Sequence, residues 1–277
     1  MSVVSSIKPQ SSKELLDSDL YPSREFILLG GKDGVGKSSA LVSLAWWVEQ
    51  NKPNATFNVI DSENKFKSAL RSFGGDAPKN IQYYKVSNMN DVTNVIAMIM
   101  ATHKPGDWLA IESMGPIWDM AQDLAYQSIA GVSKVEFLEK KQKGKGPIPQ
   151  PDDFWKIAKG AYDGAFLDPI RQSEDLNVIL TSVAKPIKAD GFIKENKDRK
   201  AFRVEVGMDA NLSGSPTMPS LVETLAILEL NQGNVSCRIL RDNLSALEAG
   251  RIEFAVTGKR DWALEFWSQC RGGEIKL

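Results

Sequence analysis

Gly31, four intervening residues and then Gly36, Lys37 and Ser38 reproduce the spacing G-x-x-x-x-G-K-[ST], in which each fixed residue type has a task at a polyphosphate. Glycines let the backbone wrap an anion closely because they tolerate positive φ. Lys37 is suited to reach the terminal phosphates and the Ser38 hydroxyl to join a Mg²⁺ shell, while the N–H groups of a following helix point at the anion. The candidate nucleotide cradle is therefore Gly31, Lys32, Asp33, Gly34, Val35, Gly36, Lys37, Ser38 and Ser39. The apolar run at residues 26–29 precedes it and the helix-like LVSLAWWVEQ follows, which is the strand–loop–helix context the cradle needs.

Hydrolysis at such a cradle needs a carboxylate near the Mg²⁺ and a group that polarises the attacking water. Ligands of parallel sheets gather at the carboxyl ends of strands, so strand-end acids are the candidates. Asp61 and Glu63 close the apolar stretch in NVIDSEN, and Glu112 closes WLAIES with Ser113 beside it. Glu112 is the expected metal carboxylate together with Ser38, and Glu63 is the expected catalytic carboxylate that orients the water.

The elements that must hold these groups alternate along the chain. EFILL, FNVID, IQYYKV, DWLAIES and LNVILTSVA read as buried strands. Between them lie the helix-like segments after the cradle, KFKSALRSF, DVTNVIAMIMATH, PIWDMAQDLAY and FWKIAKGAYDGAFLDPIRQSE. Such alternation predicts an α/β fold with a mainly parallel sheet flanked by helices. SLVETLAILEL, NVSCRILRDN and RIEFAVTG then read as consecutive strands, with NQG as a hairpin turn, giving a C-terminal antiparallel extension. Residues 139–151 and 184–219 show no sustained period and are expected to be loops. On the helix after the cradle, adjacent Trp46 and Trp47 must face different ways, one into the core and one partly exposed.

With 277 residues, of which 42% are hydrophobic and 25% charged, the chain is long enough for one large core. Cys237 and Cys270 stand too far apart for a C-x-x-C site and read as two reduced thiols. The single histidine, His103, leaves no material for a His-dependent triad or a His-rich metal site and reads as a solvated helix-end residue. No apolar run approaches membrane-spanning length, so the expectation is a soluble, cytoplasmic chain with no membrane partner.

A net charge of −1 excludes a wholly basic coat, so any further anion binding must be regional. Two stretches are locally basic. One, near residues 133–151, carries Lys134, Lys140, Lys141, Lys143 and Lys145. The other, near 184–220, carries Lys185, Lys188, Lys194, Lys197, Arg199, Lys200 and Arg203, with Phe192 and Phe202 among them. Lysine and arginine suit nucleic-acid phosphates and the rings suit unstacked bases, so single-stranded nucleic acid is a candidate partner.

Taken together, these motifs resemble the RecA-like P-loop NTPase core, and most closely the compact RecA-like ATPases of phages linked to recombination and single-strand annealing. NVIDSENKF is similar to the family's strand ending in Asp-x-Glu, whose Glu activates water, and the correspondence falls on Glu63. WLAIESMGPIW is similar to the strand ending in Asp-Ser, with Glu112 in place of the Asp. NVILTSVAKP is similar to the strand after which recombinases place a γ-phosphate sensor, usually Gln or His. Thr181, Ser182 and Val183 stand there instead. SCRILRDN is similar to the late strand whose basic residues reach a neighbour's nucleotide, which makes Arg241, or Lys185, the expected trans-acting group. The resemblance spans residues 24–257, leaving an N-terminal segment 1–23 and a C-terminal segment 258–277. It implies ATP and Mg²⁺ as cofactors, a homo-oligomer with nucleotide at the subunit interface, and DNA in the channel formed by the two basic stretches.

A second resemblance competes. KDGVGKS is similar to the cradle K-G-G-x-G-K-[ST] of ParA- and MinD-type dimeric ATPases, in which the early lysine, here Lys32, crosses to the partner's phosphates. Asp33 replaces the first glycine of that pair, and ESMGP replaces the usual Asp followed by prolines. A third reading is a nucleotide-dependent assembly scaffold with little turnover.

Overall fold

The computed structural model describes residues 24–74, 77–144, 151–183, 222–231, 233–242, 253–258 and 261–271. Eight strands form one sheet, β1 (Phe26–Gly31), β2 (Phe57–Asp61), β3 (Ile81–Lys85), β4 (Trp108–Glu112), β5 (Asn177–Val183), β6 (Thr224–Asn231), β7 (Asn234–Asp242) and β8 (Glu253–Val256), in the order β3-β2-β4-β5-β1-β6-β7-β8. The pairings from β3 across to β6 are all parallel, and β6-β7-β8 is antiparallel. The expected architecture is therefore present, with the hairpin bend at Gly233, where φ is +86°.

Alternation along buried strands divides the core in two. Phe26, Leu28, Ile60, Leu109, Ile111, Val178 and Leu180 face one layer, and Ile27, Leu29, Val59, Ala110 and Ile179 face the other. The first layer is covered by α3 (Met89–Thr102), α4 (Met114–Ala130) and the helix that starts with α6 (Pro151–Lys159). The second is covered by α1 (Lys37–Asn51), α2 (Lys65–Ser72) and α8 (Asp261–Arg271). Because both faces are covered, β1, β2 and β4 are buried at every position and read as continuous apolar runs. Trp47 is buried and Trp46 half-buried, as their adjacency on α1 requires.

Three local expectations need correction. Residues 139–142, expected in a loop, finish α5 (Lys134–Gln142). The Ser133 side chain caps this helix by accepting the Glu136 N–H, Glu136 pairs with Lys140 at 2.7 Å, and Phe137 packs on Tyr126. Next, the long helix after residue 151 is not uniform. A π-helical stretch (Gly160–Leu167) separates α6 from α7 (Asp168–Gln172), and the Asp168 N–H donates five residues back to Asp163. The following Pro169 has no N–H to restore the α-helical ladder. Finally, His103 ends α3 as expected but is not solvated. Its side chain is only 14% exposed, with Nε2 2.8 Å from Asp175 Oδ1. Among the described residues no helix is long and apolar enough to cross a membrane.

Candidate functional site

The parallel strands bring the chemistry to their carboxyl ends. Asp61 and Glu112 are register partners on β2 and β4, and Leu29 of β1 pairs with Thr181 of β5. β5 lies between β4 and β1, so Thr181 stands between the cradle strand and the Glu112 strand.

Backbone sterics shape the cradle. A Cβ on Gly31 would meet Val35 Cγ1 at 2.7 Å and the Leu228 carbonyl oxygen at 2.8 Å, so only glycine fits where β1 turns into the loop. Gly36 adopts the left-handed region (φ 106°) directly before α1 and supplies no side-chain cap, which leaves first-turn N–H groups for an anion. Val35 anchors the loop in the core, while Lys32 and Asp33 are exposed.

Lys37 is 6% exposed, and its ammonium donates to the Gly31 and Lys32 carbonyls, both at 2.8 Å. Burial lowers its pKa, against the pull of Glu112 and Asp33. Glu112 is 1% exposed and takes hydroxyl hydrogens at both oxygens, Ser38 Oγ at 3.1 Å and Thr181 Oγ1 at 2.9 Å. Burial raises its pKa, and those two hydroxyls with Lys37 partly offset the rise. A cleft of about 400 Å³ opens over this group, lined by Lys37, Ser38, Ser39, Glu112, Ser113 and Val183 on one side and by one face of α2 on the other.

Glu63 follows the end of β2 and stands beside this cleft, in contact with two residues that line it, Ser113 and Lys65. Its Oε2 accepts from Ser113 Oγ at 3.0 Å and pairs with Lys65 Nζ at 3.0 Å. The sequence named Asp61 beside it as another strand-end acid. In the structure Asp61 is fully buried and its carboxylate accepts the Glu63 N–H, the Phe66 N–H and the Tyr83 hydroxyl. Asp61 therefore fixes the loop that carries Glu63 and is not itself presented to the cleft.

Sequence reasoning passed over Lys65. Its ammonium also pairs with Asp33 at 3.3 Å, joining the cradle to the β2 end across the cleft mouth. Burial alone would lower its pKa, but the hydrogen bond and charge of Glu63, with Asp33 behind them, raise it above that of an ordinary lysine. The only signal in the sequence is its position two residues after Glu63.

Other candidates lie elsewhere. Arg241 sits on β7 at the register of Leu225, which pairs with Leu28, toward the amino ends of the parallel strands and away from this cleft. Lys140, Lys141 and Lys143 belong to α5 and the turn after it, which pack against α4 outside the cleft. Lys185, Lys188, Lys194, Arg199 and Lys200 lie outside the described residues, as do segment 1–23 and the other basic and aromatic residues of 184–220.

The donor set fits a magnesium nucleotide. Mg²⁺ is held by few protein oxygens together with water and phosphate oxygens, not by a dedicated cage. Ser38 with Glu112 behind it supplies such a hard-oxygen corner, and the described residues contain no cluster of three His, Cys, Asp or Glu that would make a cage.

No protein-family model matches the chain. It is similar to the ATPase GET3 of Phaeosphaeria nodorum, 29% identical over 136 residues, a match covering 45% of this chain and 41% of GET3. The chain thus spans about two fifths of the length of that curated relative. Sheet, cradle and likeness together are those of a P-loop NTPase and support ATPase chemistry in general terms.

Proposed function

We propose that this protein is a Mg²⁺-dependent ATPase of the RecA-like type that assembles with copies of itself and acts on single-stranded DNA in phage-type recombination or replication. The observation that carries the ATPase reading is the Ser38–Glu112 hydrogen bond at the foot of a cradle whose Lys37 is buried, with Glu63 held beside the cleft by Ser113. Support for the RecA-like type comes from β5, which runs between the cradle strand and the Glu112 strand; where this family senses the terminal phosphate, Val183 lines the cleft and supplies no side-chain donor, so the sensor is altered or absent.

Bound Mg²⁺ would neutralise charge on the phosphate oxygens from the corner made by Ser38 and Glu112. Lys37 exchanges its two backbone carbonyls for phosphate oxygens, and the first-turn N–H groups of α1 complete the cradle. Glu63 Oε2 is already bonded, while among the described residues Oε1 has no hydrogen-bond partner, which leaves that oxygen to accept a proton from water. As water oxygen bonds to the γ-phosphorus, the bond to the β-phosphate oxygen breaks and ADP leaves with the electron pair. Catalysis is positioning and charge neutralisation. Arg241 or Lys185 would complete a neighbour's site, and the two basic stretches would track the DNA backbone.

The experiment is steady-state ATP hydrolysis with and without single-stranded DNA across a salt series. Lys37→Ala is expected to abolish turnover. Glu63→Gln is expected to keep nucleotide binding and lose hydrolysis, and normal turnover in either variant overturns the assignment. DNA stimulation that falls steeply with salt supports the DNA partner. Nucleotide-driven assembly without DNA binding points instead to the scaffold. Lys32→Ala is expected to leave activity intact; loss of a nucleotide-dependent dimer in that variant would favour the ParA-like reading.

A further inference from the structure

Lys65 is the first residue of α2, a position where a cation opposes its own helix dipole. The first turn contains no acidic residue to offset it, and Asn64 before it provides no side-chain cap. The ammonium points instead at two carboxylates from different parts of the chain, Glu63 at 3.0 Å and Asp33 at 3.3 Å. The Lys65 side chain is 40% exposed, Asp33 71% and Glu63 29%, so water reaches both contacts. Ion pairs this exposed are weak and readily exchanged. Lys65 lines the same cleft as Lys37, so two lysines border one space.

A triphosphate entering that space brings its most concentrated charge to the mouth spanned by Lys65. With Asp33 and Glu63 flanking the mouth, an anion there is repelled unless a cation turns to meet it. Lysine has a flexible stem and several donors, so it can change partners without moving the backbone. We propose that Lys65 is a phosphate-responsive latch. Its ammonium ties Glu63 to Asp33 until a terminal phosphate draws it away, and that exchange both contributes to recognition of the γ-phosphate and leaves Glu63 to the attacking water. Lys65 keeps its proton throughout, and only its partners change. Lys65 is thus the residue by which this site distinguishes a triphosphate from a diphosphate, an inference that rests on the ATPase reading above.

The test compares binding of a non-hydrolysable ATP analogue and of ADP, each with Mg²⁺, by calorimetry on the full chain, alongside turnover. Lys65→Ala is expected to weaken the analogue about tenfold or more, the loss expected for a hydrogen bond to a charged group, while ADP affinity stays within about twofold. Turnover falls with it, and Lys65→Arg restores the preference for the triphosphate. An equal loss for both nucleotides, or no loss for either, overturns the latch. A thermal unfolding midpoint unchanged in Lys65→Ala shows that the effect is not one of folding, and the Arg variant carries the test if the Ala variant is unstable. The two proposals fail differently. If the wild-type chain neither binds nor hydrolyses ATP, the ATPase reading falls and takes the latch with it. If the wild type turns over and Lys37→Ala abolishes turnover while Lys65→Ala keeps the triphosphate preference, only the latch falls.

Discussion

Among the strand-end acids, residue type alone does not assign roles; hydrogen-bond partners do. Asp61, Glu63 and Glu112 are all carboxylates after apolar runs, and all three were visible as candidates in the sequence. What separates them is which donors each meets. Asp61 meets three, two of them backbone N–H groups, and is consumed by holding the loop. Glu112 meets two hydroxyls, which a metal can share, and Glu63 meets one hydroxyl and the Lys65 ammonium, both at Oε2. Asp61→Asn retains the shape but offers one acceptor oxygen where both oxygens now receive N–H groups. It should destabilise the fold by about 1–3 kcal/mol, read from urea unfolding, and lower turnover through a misplaced Glu63. The same cluster has an alkaline signature. Burial, and then the charge and hydrogen bond of Asp61, push the Tyr83 phenol up to about 12. The folded chain therefore holds that proton more tightly than the unfolded chain from the ordinary phenol range up to about pH 12, so stability falls as pH rises through this window. Tyr83→Phe should flatten the decline, checked by denaturant midpoints measured across that range.

The run of helices and strands could be read from the sequence because buried parallel strands are continuous apolar segments and the helices between them carry an apolar face. Neighbour relations could not be. FILLGG and NVILTSV are equally apolar, and nothing in either says that β5 inserts between β1 and β4. That insertion gives Thr181 a role the sequence reading missed. Noted in the sequence only as standing where a sensor residue is usual, it turns out to be the buried donor to Glu112. Thr181→Val preserves shape and removes the donor, leaving a buried carboxylate oxygen without its hydroxyl. The expected loss is about 1–3 kcal/mol of stability, with weaker Mg²⁺ dependence of nucleotide binding, and Thr181→Ser should recover both. α5 escaped detection for another reason. Its stability comes from a cap, an ion pair and one buried ring, and its apolar face is too narrow to show as a period. His103 was misread as solvated because Asp175, the group that engages it, is 72 residues away in the chain.

At the level of the whole molecule, the cradle helix is braced from behind by a segment that carries no motif. Residues 258–277 lie beyond the 24–257 span of the resemblance, yet α8 shares the core layer of α1 and β1. Trp267 packs on Trp47 with ring centroids 4.0 Å apart and the planes tilted by 35°, and the Ala263 N–H donates to Ser43 Oγ of α1. Arg271 closes the far end with a two-pronged contact to Glu25, at 2.7 and 2.8 Å, just before β1 begins. The cradle loop is therefore suspended between a strand and a helix that are both fastened to α8. At the centre, Trp262 is 1% exposed, and its indole N–H points at Cys237 Sγ, 3.4 Å away. Burial pushes the Cys237 thiol up to about 12, so in the folded wild type it should resist alkylation at neutral pH. Trp262→Ala removes a large ring from a closed core and should cost about 3–5 kcal/mol. It should also uncover Cys237, so mass spectrometry after iodoacetamide treatment should find that cysteine modified in the variant and protected in the wild type. If α8 is only an ornament on an independently stable ATPase core, the variant will keep its unfolding midpoint and Cys237 will stay protected. If α8 braces the cradle helix, both will change together, and nucleotide affinity will fall although no residue of the cleft has been altered.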